Sequence, residues 1–345
     1  MNKSLKRLLC VTLLLIFAFF CGNTSHPTTQ NYVVAKGECV VEANSRRILY
    51  ESHGDIRLPM ASTTKILTAI TVLEHCKDIK SVYTIPKQAE GVEGSSVYLK
   101  AGDNYTIEDL LYGLMLRSGN DCATALALYT SGSIPNFSAK MNEVAEKAGA
   151  FCSNFVNPHG LPQSGHYTTA RDLSYITAYA MQNPTFKKIV STRYYEPRHW
   201  KNKNKMLQFF DNAVGVKTGY TKQAGRCLVS AIEKDGMTLI CTVLSCPTTY
   251  ERSTKLLEDA FTHYNYTPII KADETFTVED NGKTYKCSTQ KNYYYPILKE
   301  EEKWLEVKTY PYENKFEPKK NNKIVGQFEI YLAKRLLFSG NLYKL

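Results

Sequence analysis

The chain has ten cysteines and seven histidines but no C-x-x-C pair and no His/Cys cluster, so a zinc ribbon or a dithiol redox centre has no ligands to draw on. It also lacks an internal repeat and a low-complexity linker, which excludes a solenoid. Its one long apolar run, near the N-terminus, is short for a bilayer span of roughly 20 residues. Hydrophobic content of 43% and charged content of 22% are ordinary for a globular chain and name no function. The net charge of +10 is spread out: Lys201, Lys203 and Lys205 sit together, while Glu300, Glu301 and Glu302 offset the C-terminal third. Such a pattern suits mild attraction to an anionic surface, a wall or a membrane, and argues against a nucleic-acid groove.

The first 25 residues read as an export signal. Lys3, Lys6 and Arg7 precede L-L-C-V-T-L-L-L-I-F-A-F-F-C, and a polar exit follows. No clean A-x-A marks a cleavage site, so removal and retention as an anchor both stay open, and Phe20 before Cys21 fits a lipoprotein site poorly. Cys10 and Cys21 fall in this segment; the other cysteines are scattered and read as small buried residues.

Beyond it, helix and strand signals alternate. Residues 37 to 51 predict two short strands around an N-S turn. A helix after Pro59 buries Ile66, Leu67, Ile70 and Leu73, and further helices start at Thr106 and Thr169, each with an aspartate three residues on in capping-box spacing. G-R-C-L-V-S-A-I and M-T-L-I-C-T-V-L form a hairpin through E-K-D-G. A turn at Lys234–Asp235 pairs residue 230 with 241 and 227 with 244, so Cys227 and Cys241 face opposite ways and form no disulfide, whereas Cys227 and Cys246 share a face. A helix over about 249 to 264 closes this body. From about 267 the helical period disappears, and short segments such as T-Y-K-C, Y-Y-Y-P-I-L and F-E-I-Y-L predict a small all-β domain over 267–345. The chain's end, I-V-G-Q-F-E-I-Y-L-A-K-R-L-L-F-S-G-N-L-Y-K-L, reads as strand, turn, strand.

Chemistry concentrates in three fragments. In R-L-P-M-A-S-T-T-K, Ser62 and Lys65 stand three apart at a helix start, on one face, and a neutral lysine there can take the proton that makes a serine nucleophilic. S-x-x-K is a cheap pattern that recurs as S-T-Q-K at 288 to 291, and S-G-N at Ser118 to Asn120 recurs at Ser339 to Asn341. Only the first copies are followed by K-T-G, at Lys217 to Gly219 on a strand, giving the order S-x-x-K, S-x-N, K-T-G that marks penicillin-binding proteins and class A β-lactamases.

With L-R-S-G-N-D, N-P-H-G-L-P, G-H-Y-T-T-A-R-D-L and G-V-K-T-G-Y-T-K-Q-A-G-R-C-L-V-S-A, the chain over about 37 to 265 resembles the D-alanyl-D-alanine carboxypeptidases, the low-molecular-weight penicillin-binding proteins. The resemblance implies an α+β fold, an antiparallel sheet flanked by helices over 26–266, followed by the small β domain. It implies no cofactor, no metal and no nucleic acid. The implied partner is the D-Ala-D-Ala end of a peptidoglycan stem peptide, with β-lactams as inhibitors, outside the cytoplasmic membrane of a bacterium and in association with the membrane surface or the wall. Ser62 would attack the penultimate D-Ala carbonyl with Lys65 as base, Ser118 would relay a proton to the leaving D-Ala, and Asn120 would hold the substrate backbone and Lys65. Lys217 and Thr218 would grip the terminal carboxylate, Gly219 would let the strand approach the ligand, and the backbone N–H groups of Ser62 and Tyr220 would face the oxyanion. Tyr220 stands where some members carry histidine.

A β-lactamase shares the triple but carries a glutamate in an E-x-x-L-N segment, absent between 121 and 216; a wall-binding module would not need the full nucleophile and base set. His159 and His166 lie among turn residues and read as loop packing. Arg252 is not counted as a carboxylate ligand.

Overall fold

The computed structural model describes residues 35–280, 282–312 and 323–345, so the export-signal expectation lies outside the described residues. The two N-terminal strands, β1 (Gly37–Glu42) and β2 (Ile48–Ser52), form a hairpin. They join β3 (Ala213–Thr221), β4 (Gly225–Lys234) and β5 (Met237–Leu244) in an antiparallel sheet of order β2-β1-β5-β4-β3. Its strands are apolar on alternate residues of both faces, because both faces are covered. Cys39, Val41, Val229 and Ala231 point into the helical core, while Val40, Leu228, Leu239 and Cys241 meet Leu256 and Leu257 on the opposite side.

The β4–β5 register is the expected one, Ser230 opposite Cys241, although the tip lies one residue later, at Asp235 and Gly236, both at positive φ as a tight primed turn requires. Cys227 and Cys241 therefore sit in different clusters and no disulfide joins them. Cys246 departs from expectation: it packs on the Cys241 side. Strand β5 ends at Leu244, and Ser245, at φ 55, turns the chain so that strand alternation no longer applies.

All but one of the α-helices among the described residues lie in the long excursion between β2 and β3. A 3-10 turn, Ala61–Thr64, leads into α1 (Lys65–His75), which is buried on every side from Lys65 to Val72 rather than along one stripe. Thr68 is tolerated there because its hydroxyl donates to the Pro158 carbonyl at 2.6 Å. Thr106 and Asp109 form a full capping box on α2 (Ile107–Tyr112), which runs into a π turn, Gly113–Arg117, before α3 (Asn120–Ser131). Thr169 caps α4 (Ala170–Met181), but Asp172 does not reciprocate; its carboxylate accepts from the Cys152 N–H and the Ser153 hydroxyl at 2.7 Å each. Helix α5 (Thr249–His263) covers the outer sheet face.

Strand β6 (Tyr264–Ile270) continues from α5 and pairs with β9 (Tyr293–Leu298). The remaining strands, β7 (Phe276–Asp280), β8 (Lys283–Ser288), β10 (Leu305–Pro311), β11 (Ile324–Leu332) and β12 (Arg335–Lys344), form a sheet of order β7-β8-β12-β11-β10. Its core is Ile270, Val278, Cys287, Phe328, Ile330 and Leu342, with Tyr293 edge-on to Phe328 and Phe338. The closing segment is the expected hairpin. Arg47, from the β1–β2 turn, ties this region to the main sheet: it donates to the Pro296 carbonyl at 2.7 Å, pairs with Glu301 at 2.5 Å and lies between the rings of Tyr264 and Tyr295.

Candidate active site

Ser62 sits in the 3-10 turn and Lys65 is the first residue of α1, so one helical turn places the two side chains together. Lys65 is fully buried, and its Nζ contacts three acceptors: Ser62 Oγ at 3.0 Å, Asn120 Oδ1 at 2.6 Å and the His159 carbonyl at 2.7 Å. Burial, and after it the charge of Lys217, pushes the Lys65 ammonium well below the usual lysine range. As a neutral amine, Nζ keeps two hydrogens for Asn120 and His159 and turns its lone pair to the Ser62 hydroxyl. That is the geometry of a base beside a nucleophile.

Ser118 follows the π turn at φ 65, ψ 30, a left-handed conformation, and its side chain lines the cleft. The next residues fasten the loop over 93–99. Asn120 N–H donates to the Ser95 carbonyl at 2.7 Å and Asn120 Nδ2 to the Glu93 carbonyl at 2.5 Å, leaving one amide hydrogen of Asn120 for a substrate. Buried Asp121 accepts from Ser96 Oγ at 2.6 Å, Val97 N–H at 3.0 Å and Leu99 N–H at 3.1 Å. The loop is thereby held rigidly beside Ser118.

K-T-G lies on the sheet's edge strand β3. Lys217 is 2% exposed, and its ammonium donates to the Thr218 carbonyl at 2.9 Å. Burial and the charge of Lys203 pull it down to about 7. Thr218, Gly219 and exposed Tyr220 line the cleft. What Gly219 admits is the Ser62 turn itself: a Cβ there would stand 3.0 Å from the Met60 carbonyl oxygen and 3.2 Å from the Ser62 nitrogen. One cleft of about 480 Å³ thus gathers Ser62, Ser118 and Thr218 to Tyr220 from a helix start, a π turn and a strand that are far apart in sequence.

Residues 23–248 match peptidase family S11, D-alanyl-D-alanine carboxypeptidase. The chain belongs to this family. It is 32% identical over 294 residues to the D-alanyl-D-alanine carboxypeptidase DacF of Bacillus subtilis, covering 80% of this chain and 75% of that one. It is 35% identical over 259 residues to the D-alanyl-D-alanine carboxypeptidase of a Streptomyces species, covering 68% and 89%. Among solved structures, penicillin binding protein 5 from Haemophilus influenzae superposes with a TM-score of 0.74 at 26% identity, over 91% of this chain and 97% of that one. The fold is accordingly the penicillin-binding-protein fold, α+β with a C-terminal all-β region, and the protein is a serine-type D-Ala-D-Ala carboxypeptidase with a cell-wall function.

Several residues of the carboxypeptidase's cleft escaped the sequence reading: Ser95, Lys203, Lys205, Arg226 and Tyr250 also line it. A signal did exist. Lys201, Lys203 and Lys205 alternate with Asn202 and Asn204, which are buried, so the basic triplet is one face of an extended segment rather than a diffuse surface charge. The histidines pack in the loops, as expected, but the His159 backbone reaches the site through its carbonyl. His166 Nδ1 accepts from Val156 N–H at 3.1 Å, so its Nε2–H donates to Thr64 Oγ1 at 2.9 Å. Arg252 is occupied elsewhere, forked onto buried Glu38 at 2.7 Å by two nitrogens.

Proposed function

We propose that Ser62 is the nucleophile and Lys65 its general base, the observation that carries this being the buried Lys65 Nζ 3.0 Å from Ser62 Oγ with its two other hydrogen-bond directions taken by Asn120 and His159. Ser62 attacks the carbonyl of the penultimate D-Ala and Lys65 takes its proton. Ser118, beside them in the cleft, passes a proton to the departing D-Ala nitrogen, and water then cleaves the ester. The N–H groups of Ser62 and Tyr220 face the oxyanion; the close passage of Gly219 against the Ser62 nitrogen supports this pairing. Lys217 and Thr218 hold the terminal carboxylate, and Asn120 orients Lys65 and the substrate backbone.

The division of labour follows the chain: residues 26–266 carry the chemistry and 267–345 form a separate β domain. The N-terminal 25 residues direct export, and the enzyme works outside the cytoplasmic membrane, at the membrane surface or in the wall. No helix among the described residues is long and apolar enough to cross a membrane.

Penicillin tests the assignment, since its strained amide and adjacent carboxylate imitate the D-Ala-D-Ala end. The expected result is one covalent penicilloyl group on Ser62, slow to disappear because its tethered leaving group cannot depart, absent in Ser62→Ala, together with release of D-Ala from a stem pentapeptide. Rapid clearance without D-Ala release would identify a lactamase, and no adduct on the folded protein would overturn the serine mechanism.

A further inference from the structure

The cleft is lined by Lys203, Lys205 and Arg226 and by no aspartate or glutamate. None of the three cations makes an ion pair among the described residues. Their backbones are pinned. Lys203 N–H donates to the Leu116 carbonyl at 3.1 Å and Lys205 N–H to Tyr250 Oη at 3.2 Å. Buried Asn202 holds the segment from below, donating to the Thr192 carbonyl at 3.0 Å and accepting from Asn204 N–H at 2.9 Å. Arg226 comes from the other side, on β4 opposite Tyr220.

Lys203 has like-charged neighbours and no counterion, and the repulsion reaches Lys65 and Lys217. Partial burial and then Arg117 pull Lys203 down, and Lys203 in turn depresses both Lys65 and Lys217. An arriving anion relieves that repulsion. Of the pair assigned to the terminal carboxylate, Lys217 is buried and Thr218 shares the cleft lining with these three cations, and the cleft, about 480 Å³, is larger than two alanyl residues fill. The remainder leaves room for the residue preceding D-Ala-D-Ala.

We infer that Lys203, Lys205 and Arg226 form a second anion subsite, which selects D-Ala-D-Ala peptides carrying a free side-chain carboxylate on the residue just before the D-Ala pair. The inference rests on the function proposed above and adds the substrate class.

The test uses three peptides ending in D-Ala-D-Ala that differ only in the side chain of the preceding residue: a free carboxylate, its carboxamide, or an amine. The readout is the ratio of kcat/KM for the acid to that for the amide. The intact protein should prefer the acid by about tenfold, through KM more than kcat, with the preference shrinking as salt is added and the amine peptide poorest. Lys203→Gln, Lys205→Gln and Arg226→Gln should each cut the ratio by about two- to threefold, and the triple variant should bring it to about one. Should the triple variant fail to fold, the single variants still decide. A ratio near one in the intact protein, or a ratio unmoved by the substitutions, overturns the subsite. Equal losses on all three peptides would assign the cations to the terminal carboxylate and overturn it too. A penicilloyl adduct on Ser62 with a ratio near one sinks this inference alone; no adduct and no D-Ala from any peptide removes the serine carboxypeptidase assignment along with it.

Discussion

Replacing Lys217 by alanine perturbs substrate binding and the base together, in directions that can be separated. The ammonium is 2% exposed, so a carboxylate that reaches it forms a largely desolvated charge pair. Removing one partner of such a pair costs about 2 to 5 kcal/mol, which is a loss in kcat/KM of roughly 30- to 5,000-fold. The pH profile carries the second signature. Lys217 must be charged to bind a carboxylate, and in the free protein it is pulled down to about 7, so kcat/KM should fall as pH rises through that value. A bound carboxylate favours the ammonium, so the alkaline limb of kcat lies higher. Lys65 must be neutral to act as base, and after burial the charge of Lys217 is the next largest influence holding it down. Without that charge Lys65 keeps its proton to higher pH, and the acid limb of acylation by penicillin moves upward. D-Ala release and the acylation rate, each followed across about pH 5 to 10, measure both effects. Near-native kcat/KM in Lys217→Ala would refute the carboxylate assignment, and an acid limb that stays put or moves downward would refute the coupling between the two lysines.

Burial pulls His166 down to about 4, so between that value and about 6.5 the unfolded chain binds a proton that the native ring does not, and stability drops as pH falls through this window. The full loss is about 3 kcal/mol; His166→Gln should flatten the slope of urea stability against pH, with His159, pulled down to about 3, supplying the acid loss that remains, and an unchanged slope would count against it. Gly219→Ala places its methyl 3.2 Å from the Ser62 nitrogen, so the turn must shift by a few tenths of an ångström; penicillin acylation should slow by about 10- to 100-fold with the fold intact, and a native rate would contradict the close approach. A chain ending near residue 266 should still acylate, since the cleft's lining residues end at Tyr250, while melting earlier because Arg47 loses Pro296 and Glu301. A folded but unreactive truncated chain would disprove the proposed division.

Much of this protein is legible in the sequence where the cause is local. The i, i+3 spacing of Ser62 and Lys65, the Thr106 and Thr169 caps and the two-residue alternation that separates Cys227 from Cys241 each depend on a few neighbouring backbone units, and the structure keeps all of them. Even the order of the three motifs is a property of the chain, and it was enough to indicate the chemistry. What tertiary structure decided is which distant groups meet. Nothing near His159 announces that its carbonyl will hold Lys65, because that contact follows from how the loop settles over a fully buried helix. The Lys201 to Lys205 run signals a basic face but not that exposed Lys203 and Lys205 line the same cleft as Arg226 and Ser62; buried Asn202 and Asn204 anchor that segment from beneath, and the sheet brings β4 to the other side. Arg252 finds Glu38 only because α5 packs across β1. Periodicity and hydrogen-bond capping act over one or two turns of chain, whereas charge neighbours and lysine protonation depend on through-space distance and burial, which exist only once the chain has folded.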